Sequence, residues 1–403
     1  MNRYPRVAFF TDSFHEVNGV ALTSRQFDAY AKRNGLPFLS VHAGPETVWP
    51  SGTGDHQTIE LARGPLAFGL EKDLFFDPAL WRYQSQVVEI VKAFQPDLIH
   101  VTGPGDFGLL AVWIAHQHGI PFAASWHTNV HEYAGRRLEN LLSFLPPRPL
   151  GVMADTAERF SLTGTALFYK IGKVLFAPNQ ELVDLLIELT GKPVFLMQRG
   201  VDAELYSPSR RDSTDTRFTI GYVGRLSPEK NVRLLATVEK ILLTAGHTDY
   251  RFLIVGHGNE LEWLQQNLRQ AEFTGVLKGE ALARAYANMD IFAFPSTTDT
   301  FGNVILEALA SGTPSVVTTG GGPKFLVQHG VTGYIAATEH EFASSVLHPM
   351  GDRELHARMR LAARQYACSI SWDKVFEGVY EAYNSVLFNG RFETPATTTT
   401  SST

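Results

Sequence analysis

Cysteine is nearly absent from this chain of 403 residues, because Cys368 is the only one. A single thiol has no intrachain partner, so disulfide bonds do not hold the fold and a reducing compartment is expected. The sequence moves from Met1–Arg3 almost directly into the apolar Val7–Phe10. No apolar run there is long enough for a signal peptide or a membrane span. We therefore expect a cytoplasmic protein.

An excess of positive charge is also lacking. The chain has 35 Lys and Arg against 41 Asp and Glu, a net charge of −6, which argues against general nucleic-acid binding. No Asp-x-Asp pair occurs in the sequence, although enzymes that hold a diphosphate through a divalent metal usually need one. We therefore expect a small anionic ligand that is held by a few positive side chains without a metal.

The length and pattern of the chain predict two α/β domains. The length exceeds one typical core, and 44% hydrophobic with 19% charged residues is typical of a globular protein. Short apolar runs alternate with helical patterns, which is typical of parallel sheets covered by helices. The runs begin at Arg6, Leu36, Asp97, Pro121, Val174 and Pro193, and then at Thr219, Arg251, Glu272, Ile291, Pro314 and Thr332.

A polar, charged stretch after Tyr206 separates the two halves. We therefore predict one domain over residues 1–206 and a second over 207–370, with a ligand cleft between them. The Thr- and Ser-rich residues 391–403 are expected to be disordered.

The most informative segment is FPSTTDTFGNVILEALASGTP, residues 294–314. Asp299 and Glu307, with seven residues between them, flank the turn Phe301-Gly302-Asn303. A helix that begins near Asn303 leaves its first amides unpaired and its positive dipole end at the turn, which suits a phosphate. Glu307 lies about one helical turn further on, where it can meet a group attached to that phosphate. A nucleoside diphosphate sugar has this shape.

Four other loops follow strands in the same way. Arg225 and Lys230 lie in the loop Gly224–Asn231, where two positive charges can neutralise a departing diphosphate, and a solvated turn is the alternative interpretation. His127 follows a buried strand, and a loop histidine with satisfied hydrogen bonds is its alternative. Asp12, Asn18 and Gly19 can bind hydroxyls or phosphate, or form a turn capped by Asn18. Gly256 and Gly258 form a glycine loop after another strand.

These motifs resemble those of the retaining glycosyltransferases of family 4, which have the GT-B fold of two facing Rossmann-like domains. The resemblance lies in the two acids, in GRL-x-x-EK-N from Gly224, in VG-x-G-x-E from Val255 and in SWHTN from Ser125, and it extends from Arg6 to Leu387. The chain looks most like the GDP-mannose-dependent α-mannosyltransferases and the sulfoquinovosyl- or glucosyl-diacylglycerol synthases. It departs from the family at Asp299, where Glu is usual.

The resemblance implies a metal-independent retaining transferase without a cofactor, which moves a mannose- or glucose-type hexose from GDP-mannose or a UDP-hexose to a lipid or glycan acceptor with α linkage. It implies catalytic roles for His127, Arg225, Lys230 and Asp299, and acceptor binding by Asp12, Asn18 and Gly19. It implies donor binding by Gly224, Gly256, Gly258, Phe301, Gly302, Asn303, Val304 and Glu307. It also implies that a C-terminal helix over residues 371–388 packs back on the first domain.

Because many of these enzymes act on lipids, the basic and apolar stretch 136–145 is a candidate for peripheral contact with the inner face of the membrane. A buried core helix is the interpretation that we favour for this stretch.

Four other interpretations compete with a transferase. Residues Gly103–Gly108 match the dinucleotide fingerprint G-x-G-x-x-G, but the next strand ends without the acid that would hold a ribose, so we expect a tight turn facing the acceptor pocket. A sugar-nucleotide epimerase has the same fold and the same donor. A catalytically silent binding protein is favoured by Asp299 in place of Glu. A zinc site at His127 and His131 lacks a third ligand and the Glu of zinc proteases.

Overall fold

The computed structural model describes residues 4–16, 18–71, 74–127 and 163–388. They form two compact units. The first unit comprises the described residues up to Gln198 together with those from Phe376 onward, and the second unit comprises Arg199–Val375. The division after Gln198 lies eight residues before the expected boundary at residue 206.

The first unit is built on one parallel sheet. Its described strands are β1 (Val7–Thr11), β2 (Phe38–Gly44), β3 (His56–Ala62), β4 (Phe68–Glu71), β5 (Leu74–Phe76), β6 (Leu98–Val101), β7 (Phe122–Ser125), β8 (Val174–Ala177) and β9 (Val194–Leu196). Seven of them form the sheet in the order β3-β2-β1-β6-β7-β8-β9, and β4 pairs with β5 alone. The helices are α1 (Gly19–Arg33), α2 (Gln84–Phe94), α3 (Asp106–His118), α4 (163–170) and α5 (Gln180–Thr190).

The central strands of this sheet are buried at every residue, as the patterns of β1, β6, β7 and β8 show. Parallel strands that helices cover on both faces have no side exposed to water, so nearly all their residues are apolar. These strands are therefore recognisable in the sequence as apolar runs. The edge strand β3 was not predicted. Only two of its seven residues are buried, so its sequence HQTIELA lacks a continuous apolar signal.

The second unit has a parallel sheet of six strands. These are β10 (Phe218–Val223), β11 (Tyr250–Val255), β12 (Ala271–Gly275), β13 (Ile291–Phe294), β14 (Ser315–Thr318) and β15 (Gly333–Ala336), in the order β12-β11-β10-β13-β14-β15. The helices are α6 (Leu234–Thr244), α7 (Leu261–Asn267), α8 (Gly279–Ala287), α9 (Asn303–Ala310), α10 (Glu339–Gly351), α11 (Arg353–Cys368) and α12 (Trp372–Leu387). The prediction of two Rossmann-like α/β domains is confirmed.

Helix α12 begins in the second unit and ends in the first. In the first unit the ring of Phe376 stacks on Phe27 with centroids 4.6 Å apart, and Tyr383 makes an edge contact with His100. In the second unit Trp372 lies over Gly200, where a Cβ atom would come within 2.3 Å of the Trp372 nitrogen.

None of the helices in the described part of the chain is both long and apolar enough to cross a membrane. The stretch 136–145, for which sequence analysis considered a membrane contact, lies outside the described residues.

Gly256 allows the loops after β10 and β11 to pack together. Its φ is +143°, and an added Cβ atom would lie 1.9 Å from the carbonyl oxygen of Gly224. Because both the backbone conformation and the space exclude a side chain, we expect Gly256→Ala to lower the free energy of unfolding by about 3 kcal/mol, measured by urea denaturation.

Gly351→Ala is the matched control, because no described atom lies within 4 Å of a Cβ atom there. It should leave the stability unchanged or raise it slightly. Equal stability of the two variants would contradict the packing role of Gly256.

Candidate functional site

The candidate site lies where the strand order of the second sheet reverses, between the neighbouring strands β10 and β13. Ligands of open α/β sheets bind outside the carboxyl ends of the strands at such a point. The loop that follows β10 carries Arg225 and Lys230, and the loop that follows β13 carries Asp299 and leads into α9. The two segments that sequence analysis singled out therefore follow adjacent strands of one sheet.

An ion pair joins these two loops. Lys230 Nζ lies 2.7 Å from Asp299 Oδ1, and only 14% and 22% of the two side chains are exposed. The shorter aspartate therefore still reaches the lysine. Asp299 Oδ2 is buried and accepts no hydrogen bond from any described residue. An unsatisfied buried oxygen is costly, so this atom is available for a hydroxyl group of a ligand.

Arg199 is a buried cation beside this pair, and sequence analysis missed it. It is 7% exposed, and its Nη1 donates a hydrogen bond of 3.1 Å to Asn303 Oδ1. Its guanidinium carbon lies 5.5 Å from the centre of the Phe301 ring. Burial lowers the pKa of Arg199 to about 10 although the charge of Asp299 opposes the shift, so the side chain stays charged at neutral pH. Its position shortly after β9 was the only available signal.

The amino end of α9 is open. The helix begins at Asn303, and the preceding Gly302 has φ +93° and provides no side-chain cap. The first amides of a helix have no partner within it, and its dipole is positive there. Val304, in the first turn, packs partly against the core. The helix end, Arg199 and Lys230 are thus three sources of positive potential near Asp299.

Glu307 is held by two tyrosines. The Tyr286 hydroxyl donates a hydrogen bond of 2.8 Å to Glu307 Oε2, and the Tyr206 side chain also bonds to this carboxylate. The pKa of Glu307 is raised because burial outweighs the opposing effect of these hydrogen bonds. The predicted contact between Glu307 and a ribose stays a prediction, and a ribose hydroxyl would compete there with the tyrosines.

Arg225 is far more accessible than Lys230 of the same loop. Its nearest acid is Glu229, with 3.6 Å between Nη2 and Oε1, and its side chain is mostly exposed. The Tyr222 hydroxyl donates to the Arg225 carbonyl oxygen at 2.8 Å, which fixes the backbone of the loop. The guanidinium group can therefore engage a ligand without breaking a tight ion pair.

The glycines predicted to bind the donor have packing roles. Gly224 has φ +154°, and a Cβ atom on Gly256 would collide with its carbonyl group. A Cβ atom on Gly258 would lie 2.2 Å from the Leu226 oxygen. The Leu226 amide in turn donates to the His257 oxygen at 3.1 Å. These contacts explain the glycines without a ligand, and donor binding by Gly224, Gly256 and Gly258 stays a prediction.

In the first unit, Asp12 occupies the glycine loop that resembles a dinucleotide fingerprint. Its carboxylate accepts a hydrogen bond of 3.1 Å from the Phe107 amide at the start of α3. A Cβ atom on Gly105 would lie 2.4 Å from that carboxylate. Burial, reinforced by the neighbouring Asp106, raises the pKa of Asp12 well above its usual range. The helix end that would hold a pyrophosphate is already filled, which argues against the NAD alternative.

Asn18 and Gly19 form the start of α1. Asn18 Oδ1 accepts a hydrogen bond of 2.8 Å from the Ala21 amide and caps the helix, and Gly19 is its first residue. The capped turn that sequence analysis kept as an alternative is therefore present. Acceptor binding by Asp12, Asn18 and Gly19 stays a prediction.

His127 belongs to a buried chain of hydrogen bonds. Its Nε2 lies 2.8 Å from Ser125 Oγ, which lies 3.0 Å from His100 Nε2. His100 Nδ1 bonds to the Tyr383 hydroxyl of α12. Burial lowers the pKa of His100 to about 3, so this ring is neutral, and burial keeps Tyr383 protonated. The Tyr383 hydroxyl can therefore donate to His100, whose Nε2 proton then points at Ser125.

Comparison with known proteins identifies two matching families. The family described as "Glycosyltransferase Family 4" matches residues 48–205, and the family described as "Glycosyl transferases group 1" matches residues 217–352. Together these ranges cover most of the chain.

Individual relatives match along nearly the whole length. A GDP-mannose-dependent alpha-mannosyltransferase of Mycolicibacterium smegmatis is 29% identical over 393 residues, which cover 95% of this chain and 98% of that protein. An alpha-monoglucosyldiacylglycerol synthase of Streptococcus pneumoniae is 26% identical over 403 residues, covering 96% and 87%. The crystal structure of Anabaena HepE in complex with UDP has a TM-score of 0.67 at 18% identity, covering 94% of this chain and all of that one. This likeness confirms the predicted GT-B fold.

The buried His100 predicts a loss of stability in mild acid. Its pKa is about 3 in the folded chain and about 6.5 when unfolded, so the unfolded state binds the extra proton between these values. The free energy of unfolding should therefore fall as the pH drops from 7 to 5, with about 2 kcal/mol of the loss due to His100. Urea denaturation at both pH values measures it.

The variant His100→Gln has no titrating group at this position. It should be less stable than the parent at pH 7 and lose correspondingly less between pH 7 and pH 5. The same pH dependence in both proteins would show that His100 does not titrate as its burial requires.

Proposed function

Because this chain is a glycosyltransferase with a family 4 domain followed by a group 1 domain, we propose that it transfers a hexose from a nucleoside diphosphate sugar to a hydroxyl group of a lipid or glycan. The observation that carries the donor assignment is the Lys230–Asp299 contact of 2.7 Å next to the open amino end of α9. It pairs a largely shielded cation for a diphosphate with an acid for a sugar hydroxyl.

In this proposal the bound diphosphate takes over part of the interaction that Lys230 otherwise makes with Asp299. Lys230, Arg225 and the first amides of α9 bind its oxygens. Arg199, which is hydrogen-bonded to Asn303 at the start of α9, contributes a further positive charge. The unpaired Oδ2 of Asp299 accepts a hydrogen bond from the sugar. Phe301 and Val304 line the start of the helix, and Glu307 contacts the ribose.

The transfer step follows from this placement of charge. The bond between the anomeric carbon and the phosphate oxygen breaks, and negative charge grows on the leaving diphosphate, where fixed cations and helix amides stabilise it. The leaving phosphate oxygen takes the proton of the acceptor hydroxyl, whose oxygen bonds to the same face of the sugar. The α configuration is thereby retained. Since side chains and helix amides supply the positive charge, we propose that this step needs no divalent metal at the diphosphate.

The identity of the substrates rests on the relatives. Those with near-complete matches are named for GDP-mannose and for a glucosyldiacylglycerol, so we propose a mannose- or glucose-type donor and a lipid as the preferred acceptor. We also propose that a lipid acceptor brings the protein to the inner face of the membrane as a peripheral protein. His127 is proposed to contact the donor sugar, and Asp12, Asn18 and Gly19 to bind the acceptor.

A substrate screen tests the function. The protein is incubated with GDP-mannose, UDP-glucose and related donors, each alone and with diacylglycerol-based or glycan acceptors, and the products are analysed by mass spectrometry and by NMR of the anomeric proton. We expect one donor to give an α-linked product only when acceptor is present. A changed sugar without acceptor would instead identify an epimerase, and binding without any product would identify a silent protein.

Lys230→Ala tests the proposed charge compensation. Because the variant loses the cation closest to Asp299, we expect turnover to fall about a hundredfold or more, in steady-state assays at saturating donor. Lys240→Ala is the control, since this exposed lysine lies on α6 in the same unit.

Thermal unfolding of both variants checks that each remains folded. Near-normal turnover of a folded Lys230→Ala protein would overturn the proposed role of this lysine.

A further inference from the structure

Three side chains of the first unit meet at the edge of its sheet, far from one another in sequence. His42 of β2 and Glu60 of β3 are direct partners in the register of the two parallel strands. His15 follows β1, whose last residue pairs with His42. One ligand atom from each of the three lies within 4.8 Å of the other two. Two of the three groups are thus placed by sheet pairing, which is a rigid support.

The ring of His42 is oriented for binding. Its Nδ1 lies 3.1 Å from the carbonyl oxygen of Ala43, and because a carbonyl can only accept, Nδ1 carries the proton. The lone pair is therefore on Nε2. The Phe14 ring stacks on His42 at 3.9 Å with an angle of 3° between the planes and fixes the ring further. A hydrogen bond from the second ring nitrogen to a backbone carbonyl is the usual way in which proteins orient metal-binding histidines.

Glu60 reaches the cluster because Gly44 has no side chain. A Cβ atom on Gly44 would lie 1.9 Å from Glu60 Oε1, so any other residue would displace the carboxylate. Glu60 Oε2 lies 3.1 Å from Nε2 of the half-exposed His15. The nearby Arg63 guanidinium is engaged elsewhere, at 2.6 Å from Asp106 Oδ2.

We propose that His15, His42 and Glu60 form a binding site for a divalent transition metal of the zinc class. Two imidazole nitrogens and one carboxylate oxygen suit Zn²⁺ and its neighbours, whereas Mg²⁺ and Ca²⁺ prefer oxygen ligands. Ligand atoms around a tetrahedral zinc are about 3.3 Å apart, given metal bonds of about 2.0–2.1 Å. The His15–Glu60 distance already has that spacing, and a rotation of the exposed His15 side chain brings it to His42.

The open side of the cluster gives the metal a free coordination position. A cavity of about 400 Å³ adjoins the cluster and is lined by His15, Glu16, Gly44 and Arg63 among others. Water or an anionic oxygen of a ligand can occupy the fourth position from there. The three ligands belong to the first unit, so the proposal is independent of the donor site around Lys230 in the second unit. It also differs from the cofactor-free expectation that sequence analysis gave.

Metal titration of the full chain tests this site. The protein is freed of metal with a chelator, desalted, and titrated with Zn²⁺ by calorimetry and with Co²⁺ by visible absorption. We expect one tight equivalent with a micromolar or lower Kd, and a Co²⁺ spectrum typical of low coordination number. His15→Ala and Glu60→Gln should each weaken Zn²⁺ binding by about tenfold or more.

His118→Gln is the matched control, because this exposed histidine at the end of α3 lies outside the cluster. It should bind as the parent does. His15 is half exposed, so the His15→Ala protein should fold, which circular dichroism verifies. Absence of a tight equivalent in the parent, or unchanged affinity in His15→Ala, would overturn the proposal, whether or not the transferase assay succeeds.

Discussion

The Lys230–Asp299 ion pair is the interaction on which the candidate site depends. It ties together loops that follow two neighbouring strands, and it is mostly shielded from water, so its electrostatic effect is stronger than that of a surface pair. Lys230, Arg199 and Arg225 carry three positive charges, against the two negative charges of Asp299 and the nearby Glu229. The open end of α9 adds to this excess. This excess of positive charge suits a diphosphate, because the negative charge of the ligand compensates it.

Much of the fold could be predicted from sequence, because apolar strands and polar strand-to-helix loops can be recognised from consecutive residues. The start of α9 is an example, since the glycine before Asn303 and the apolar helix behind it are adjacent in the chain. Strand β3 was hard to recognise because an edge strand keeps polar residues and so lacks a continuous apolar run. The polar stretch after Tyr206 suggested a boundary at residue 206, whereas the division between the two compact units lies after Gln198.

The site was less predictable than the fold because several of its contacts join residues that are distant in sequence. Arg225, Lys230 and Asp299 stand in motifs, but Arg199 contributes through a contact with Asn303 that is remote in sequence. The partners of Glu307 likewise come from distant segments, and no spacing rule predicts two tyrosines on that carboxylate. The cluster of His15, His42 and Glu60 depends on the pairing of β1, β2 and β3. Sequence spacing reveals the helix faces and turns, whereas strand register becomes known only with the fold.

A crystal structure of the full chain with a bound nucleoside diphosphate tests the central claim most directly. The account predicts diphosphate oxygens within hydrogen-bonding distance of Lys230 Nζ and of the first backbone amides of α9, with the Lys230–Asp299 contact lengthened or shared. A diphosphate bound elsewhere, with Lys230 and Asp299 still 2.7 Å apart, would contradict it.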